Sequence, residues 1–131
     1  MDLMSKVNRA IEKQGGWSYS LLNGGDIKRA SVCFSVSHNG SRFSGEVVIE
    51  VVVDHLAVVQ PKTEKSIRFT GSDGQYQSFY DLQEEVGFCL PGLKGFEDAV
   101  EWTRFSEEEL CESVRRRKDF FGKMRQNFCL D

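Results

Sequence analysis

The stretch 28–53 narrows the fold more than any other, because it reads as a single β-hairpin with its register already specified. Ala30, Val32, Phe34 and Val36 alternate with Ser31, Cys33, Ser35 and Ser37. After Asn39-Gly40, Phe43, Gly45, Val47, Ile49 and Val51 alternate with Arg42, Ser44, Glu46, Val48 and Glu50. A period of two sends successive side chains to opposite faces of a sheet. Asn-Gly suits a two-residue type I′ turn, whose two central positions both need positive φ. Such a turn pairs His38 with Ser41, and the rest follows. Val36 faces Phe43, Phe34 faces Gly45, Val32 faces Val47, and Ala30 faces Ile49. On the other face Arg29 meets Glu50. Every apolar residue meets an apolar partner or a glycine, and opposite charges meet each other, so turn chemistry and face pattern agree.

The second face of this hairpin changes along its length. Near the turn it is small and polar, with Ser35, Ser37 and Ser44; farther away Val48 and Val52 make it apolar too. Strands that are apolar on both sides lie between two layers. A helix of this chain, or a second copy pairing as a homodimer through the Val48/Val52 face, is expected to cover that end.

The flanking segments supply the remaining elements. Residues 2–14 carry Leu3, Val7 and Ile11 at helical spacing, with Met4 and Ala10 beside them, and Gly15-Gly16 ends the helix. Residues 17–22 alternate as a strand with Trp17, Tyr19 and Leu21 on one face, followed by the turn Asn23-Gly24-Gly25-Asp26. Leu56 to Gln60 and Ser66 to Thr70 read as two further strands, joined around Pro61-Lys62-Thr63-Glu64. Past a loop at 70–74 the period lengthens: Tyr76, Phe79, Tyr80, Leu82 and Val86 predict a helix ended near Gly87. Pro91-Gly92 is a turn, and Phe96, Ala99 and Val100 predict a short helix.

The last element, 107–129, is the best helix. Ser106 with Glu109 forms a capping-box pattern. Acids fill the first turn and basic residues come later, as the helix dipole favours. Leu110, Val114, Phe121, Met124 and Phe128 make its apolar stripe, and Arg117 occupies the missing stripe position with its stem along apolar surface. The whole is a single domain, 1–131, of α+β class: an N-terminal helix, a mostly antiparallel meander of about five strands, and C-terminal helices packed on one face. At 131 residues it has the length of one ordinary domain.

Several function classes are ranked down by what the chain lacks. No apolar run approaches the ~18–20 residues that span a bilayer, and the N-terminus shows no apolar signal core, so an unexported, cytoplasmic protein is expected. Cys33, Cys89, Cys111 and Cys129 form no CxxC pair, which favours reduced thiols and neither a metal site nor a cofactor. The Gly-rich segments 23–26 and 71–74 have neither GxxxxGK[ST] nor GxGxxG spacing and read as turns. The two histidines are His38 and His55. Cys33 shares a hairpin with His38, but their odd separation puts them on opposite faces, against a catalytic dyad. Acids clustered at 84–85, 97–98 and 107–109 read as solvated helix faces. A non-catalytic protein is therefore expected.

Charge distribution is the informative remainder. Residues 81–112 carry ten acids against Lys94 and Arg104, and 115–125 carry six basic groups against Asp119, within a net charge of −3. On an ideal helix Arg115, Lys118 and Arg125 line one flank of the apolar stripe, while Arg116 and Lys123 point outward. Opposed patches of this kind steer protein association. The reading favoured is a small protein-binding regulator or inhibitor, with Arg115, Arg116, Lys118, Lys123 and Arg125, or the acids Glu107 to Glu109, as its contacts. Nucleic-acid binding through the same basic helix, with Phe120, Phe121 and Phe128 interleaved, is an alternative. The neighbouring acidic segment and the overall negative charge weigh against it. A small-ligand carrier or enzyme, with a pocket between sheet and helices lined by Trp17, Tyr19, Phe34 and Phe43, is another. Core packing is the expected work of those aromatics.

Overall fold

A computed structural model of the chain describes residues 2–53, 63–70 and 87–116. Helix α1, Leu3–Lys13, begins where Asp2 takes an extended conformation and its carboxylate accepts the Ser5 backbone N–H at 2.8 Å. This satisfies one of the orphan donors of the first turn. Leu3, Val7 and Ile11 form the buried stripe.

A four-stranded antiparallel sheet follows: β1 Ser18–Leu22, β2 Ile27–His38, β3 Ser41–Val53 and β4 Thr63–Thr70, in the order β1-β2-β3-β4. The central hairpin has the register its turn demands, with His38 opposite Ser41, Val36 opposite Phe43, Phe34 opposite Gly45, Val32 opposite Val47 and Ala30 opposite Ile49. Arg29 and Glu50 form an ion pair at 2.7 Å. Asn39 and Gly40 sit at φ 51° and 80°, as a type I′ turn requires. Replacing Gly40 by alanine forces a Cβ into left-handed backbone. The variant is expected to lose about 1–2 kcal/mol, read as a lower urea midpoint, whereas Asn39→Gly is expected to stay close to wild type.

β4 begins earlier than the alternation alone predicts. Thr63 and Glu64, read from sequence as part of a connection, pair with Val53 and Val52. The cause is β3, which runs on to Val53 and so offers them ladder partners. The described sheet has four strands where about five were expected; Leu56–Gln60, the loop after Thr70 and the helix expected around Tyr76–Val86 lie outside the described residues.

The helical elements after the sheet are α2, Phe96–Trp102, and α3, residues 107–116. One hydrophobic core joins α1 and α2 to the sheet: Leu3, Val7 and Ile11 of α1, Val32 and Phe34 of β2, Val47 and Ile49 of β3, Ala99 of α2, and Phe88 and Leu93 before it. Trp17 belongs to it and donates its indole N–H to the Lys94 carbonyl at 2.7 Å. Asn8 clasps α1 to the segment before α2, donating to the Gly92 carbonyl at 3.0 Å and accepting the Lys94 N–H at 2.8 Å.

The sheet's edges are treated unequally. β1 ends opposite Ser31, so β2 runs on past it with an open side. There α1 supplies the missing partners: Gln14 donates to the Cys33 carbonyl at 2.7 Å and the Lys6 ammonium to the Ser37 carbonyl at 3.3 Å. The apolar end of the second face is closed within the single chain at Val48, which is 6% exposed, while Val52 is half-buried. On the helix-covered face, β1 departs from expectation. Trp17 is buried, but Tyr19 and Leu21 are 44% and 61% exposed. Alternation assigns all three to one face; it does not say that the helical layer reaches the sheet's margin.

Candidate functional site

The unusual chemistry gathers where α3 meets the β1–β2 turn. Lys28 stands on the core face of β2, in line with Ala30, Val32 and Phe34, and its side chain is 9% exposed. An ammonium there must be paired or it destabilises the fold. It donates to the carbonyls of Trp102 and Arg104 at 3.3 and 3.0 Å, forms an ion pair with Glu109 at 2.8 Å, and lies over the rings of Trp102 and Phe105 at 5.5 and 5.2 Å. The two carbonyls lie at and just beyond the C-terminus of α2, where backbone acceptors lack intrahelical donors. Lys28 thus ties the end of α2 to the start of α3. Sequence reasoning missed it, although a lysine in phase with an apolar row was the available signal.

Glu109 serves two purposes. It completes the expected capping box, accepting the Ser106 N–H at 3.3 Å while Ser106 Oγ accepts the Glu109 N–H at 3.1 Å. It also faces Lys28. The hydrogen bond from Lys28, ahead of a smaller opposing effect of burial, holds its carboxyl below the ordinary value of 4.5. A depressed carboxylate contributes stability that is complete above its unfolded value and is lost as pH falls through the folded one. Between about pH 5 and 3, Glu109→Gln is therefore expected to flatten the acid limb of the stability curve. Thermal melts of both proteins across that range check this, and parallel acid limbs would reject it.

A second polar seam runs beside the first. Asn23, Gly24 and Gly25 take positive φ, at 53°, 69° and 95°, which turns the Gly24 carbonyl outward. Arg116 donates to that carbonyl and approaches Asp26 at 3.5 Å, and the buried hydroxyl of Ser113 donates to Asp26. Glu109, Ser113 and Arg116 are spaced i, i+4, i+7, so one face of α3 meets the sheet through polar contacts. This corrects the expected geometry in two respects. Arg116 reaches back to the turn instead of pointing outward. Ser113 is the deepest residue of α3, with Leu110 and Val114 of the expected stripe only half-buried. Three polar partners on the turn and β2 rotate the helix toward them.

Of the remaining basic candidates, Arg115 is exposed and pairs with Glu112 at 3.2 Å. Lys118, Lys123 and Arg125 lie outside the described residues, as does the helix beyond 116. The expected pocket aromatics divide as well: Trp17, Phe34 and Phe43 are core residues, and Tyr19 packs its ring against Trp102 at 4.8 Å.

Between the turn and α3 lies an open groove of about 440 Å³, with Leu21 and Gly24 on one side, Glu108, Glu109 and Glu112 on the other, and Arg116 at its margin. Residues 95–112 carry seven acids against Arg104 alone. Glu107 and Glu108 are exposed and form no ion pair with a described residue. The acidic field extends along β1, where burial and then the charge of Asp98 raise the Tyr19 phenol above its ordinary 10.0.

Cys33 is on the outer face and donates to the Glu46 carboxylate at 3.3 Å. Burial first, and then this carboxylate, push its thiol above 9.0, which makes a poor nucleophile at neutral pH. His38 is on the opposite face, its Nδ1 3.2 Å from the Lys6 ammonium, as the odd separation requires. Among the described residues no group of three or more His, Cys, Asp or Glu is placed to hold a metal ion, and no helix is long and apolar enough to cross a membrane. No protein-family model, curated protein or solved structure matches the chain.

Proposed function

We propose that this chain is a small protein-binding module, of regulator or inhibitor type, which docks a basic partner on the acidic surface of α3 and the groove beside it. What supports the reading is an asymmetry between the two charged patches. Arg115 and Arg116 are each engaged by groups of the chain itself, whereas Glu107 and Glu108 are exposed without such partners among the described residues. Unpaired surface charge of one sign attracts a partner of the other and speeds encounter. The same asymmetry weighs against nucleic acid at the described part of the basic helix, and the burial of Val48 leaves less of the second sheet face for a homodimer.

Selection of a random peptide library on the immobilised chain tests the proposal. Enrichment of Lys- and Arg-containing sequences is expected, lost with Glu107→Lys/Glu108→Lys and weakened by added salt. Failure to enrich any basic sequence, or equal enrichment on the charge-reversed variant, overturns it.

A further inference from the structure

We infer that β1 is an acceptor edge, to which an extended basic segment of a partner protein adds as a further strand. The inference rests on the docking reading above and specifies how the partner is held. It starts from the turn. A two-residue hairpin makes His38 and Ser41 a hydrogen-bonded pair, and such pairs alternate along an antiparallel ladder. Even-numbered residues of β2 therefore bond to β3, and odd-numbered ones point to the other side. The carbonyls of Cys33 and Ser37, both odd, are met from that side by Gln14 and Lys6, as this phase requires. Since Ser18, Ser20 and Leu22 stand opposite Ser31, Arg29 and Ile27, they bond inward to β2. Tyr19 and Leu21 consequently aim their backbone N–H and C=O groups away from the sheet, and neither makes a backbone hydrogen bond on that side to a described residue.

Unpaired strand edges are sites where other chains add, and folded proteins usually blunt them with charge, proline or a covering element. This chain does so elsewhere. The continuation of β2 is covered by α1, and β4, the opposite edge strand of the described sheet, carries Glu64, Lys65 and Arg68. β1, Ser18-Tyr19-Ser20-Leu21-Leu22, has no charge and no proline. Its two outward-bonding residues are also its two exposed large apolar side chains, at 44% and 61%. Strand addition uses these two features together, backbone groups for affinity and alternate side chains for selectivity.

The surroundings specify the occupant. Asp98 lies close enough to Tyr19 to perturb its phenol, and Glu108, Glu109 and Glu112 wall the groove beside Leu21. An added strand would run between these acids. The fitting segment alternates apolar residues, which share the face of Tyr19 and Leu21, with lysine or arginine.

The probe is a fluorescent heptapeptide, Lys-Val-Lys-Val-Lys-Val-Lys, titrated into the full chain at low salt and read by anisotropy. Saturable binding is expected. Backbone N-methylation of the valines, whose N–H groups face β1 when the peptide adds antiparallel and they share the face of Tyr19 and Leu21, is expected to weaken it at least tenfold, while N-methylation of the inner lysines has a smaller effect. Leu21→Pro removes one outward N–H without touching the bonds to β2, a position where edge strands tolerate proline. It is expected to retain the wild-type circular dichroism and to lose binding at least tenfold. If the variant does not fold, the methylated peptides still decide. Binding that is indifferent to N-methylation overturns strand addition and leaves charge docking standing. No binding by any of the peptides overturns both. A concentration-dependent dimer in light scattering that Leu21→Pro abolishes would assign the edge to a second copy and overturn the partner proposed here.

Discussion

Truncation of Phe88 to alanine is expected to cost about 3–5 kcal/mol, the range for removing a buried aromatic side chain. Phe88 heads the fully buried residues by size among those described, and its ring stacks on Phe34 of β2 with centroids 5.8 Å apart. Its backbone neighbours, 87–89, belong to neither a helix nor a strand, so no regular ladder holds this stretch in place. The side chain itself anchors the segment that leads to α2, and it fills the core between β2 and the helices. A domain of this size has about 5–15 kcal/mol of total stability, so the loss is a large share of it. Urea unfolding checks the value: the midpoint should fall sharply with little change in slope. Phe88→Leu, which keeps most of the volume, should lose much less. A loss below about 1 kcal/mol for the alanine variant, well under the usual range, would mean that the site collapses around the cavity and that Phe88 is not the anchor described.

Gly95→Ala is the second large effect, and its cause is different. Gly95 precedes α2 at φ 83°, where an L residue is strained by about 1–2 kcal/mol. The added Cβ would also stand 2.8 Å from Cδ1 and 3.1 Å from Nε1 of Trp17. The indole does not move away freely, because its N–H is bonded to the carbonyl of the adjacent Lys94 at 2.7 Å. Overpacking of this kind adds about 1–3 kcal/mol. The combined loss should therefore be about 2–5 kcal/mol, less if the indole shifts. A double-mutant cycle separates the two parts. Trp17→Leu removes the ring, so Gly95→Ala made in that background should cost only the backbone strain, and the two losses should sum to more than the double variant shows. Additivity to within about 0.5 kcal/mol, the behaviour of independent sites, would show that the ring and the glycine are not in the tight contact described.

Strong local signals carried much of this architecture into the sequence. The hairpin register was legible residue by residue because two short-range rules coincide there. Asn39-Gly40 specifies where the chain reverses, and the period of two in its arms specifies which side faces inward. A slip of one residue would turn Phe34 and Ile49 to water. Helix α1 was legible for a similar reason, with Leu3, Val7 and Ile11 on one stripe between Asp2 and Gly15-Gly16. The capping box at Ser106 and Glu109 is local too, three residues apart.

The acidic groove was only half legible. Composition pointed to the acids Glu107 to Glu109, but it could not say that Arg116 would be drawn to the Gly24 carbonyl and Glu109 to Lys28, with Glu107 and Glu108 in no ion pair with a described residue. Nor could it place Lys28. The Lys28 contacts span 74 and 76 residues of sequence and the Ser113–Asp26 contact spans 87, so no window of local pattern contains both partners. The exposure of Tyr19 and Leu21 is of the same kind. Their side-chain face is dictated by the strand period, whereas their burial depends on how far a separately folded helical layer extends over the edge. Turn stereochemistry and side-chain periodicity act over a few residues, so the sequence alone determined the hairpin, its register and the first helix. The angle of α3, the partners of Lys28 and Arg116 and the exposure of Tyr19 and Leu21 on β1 are settled by contacts between elements distant in the chain, and only the tertiary structure decided them.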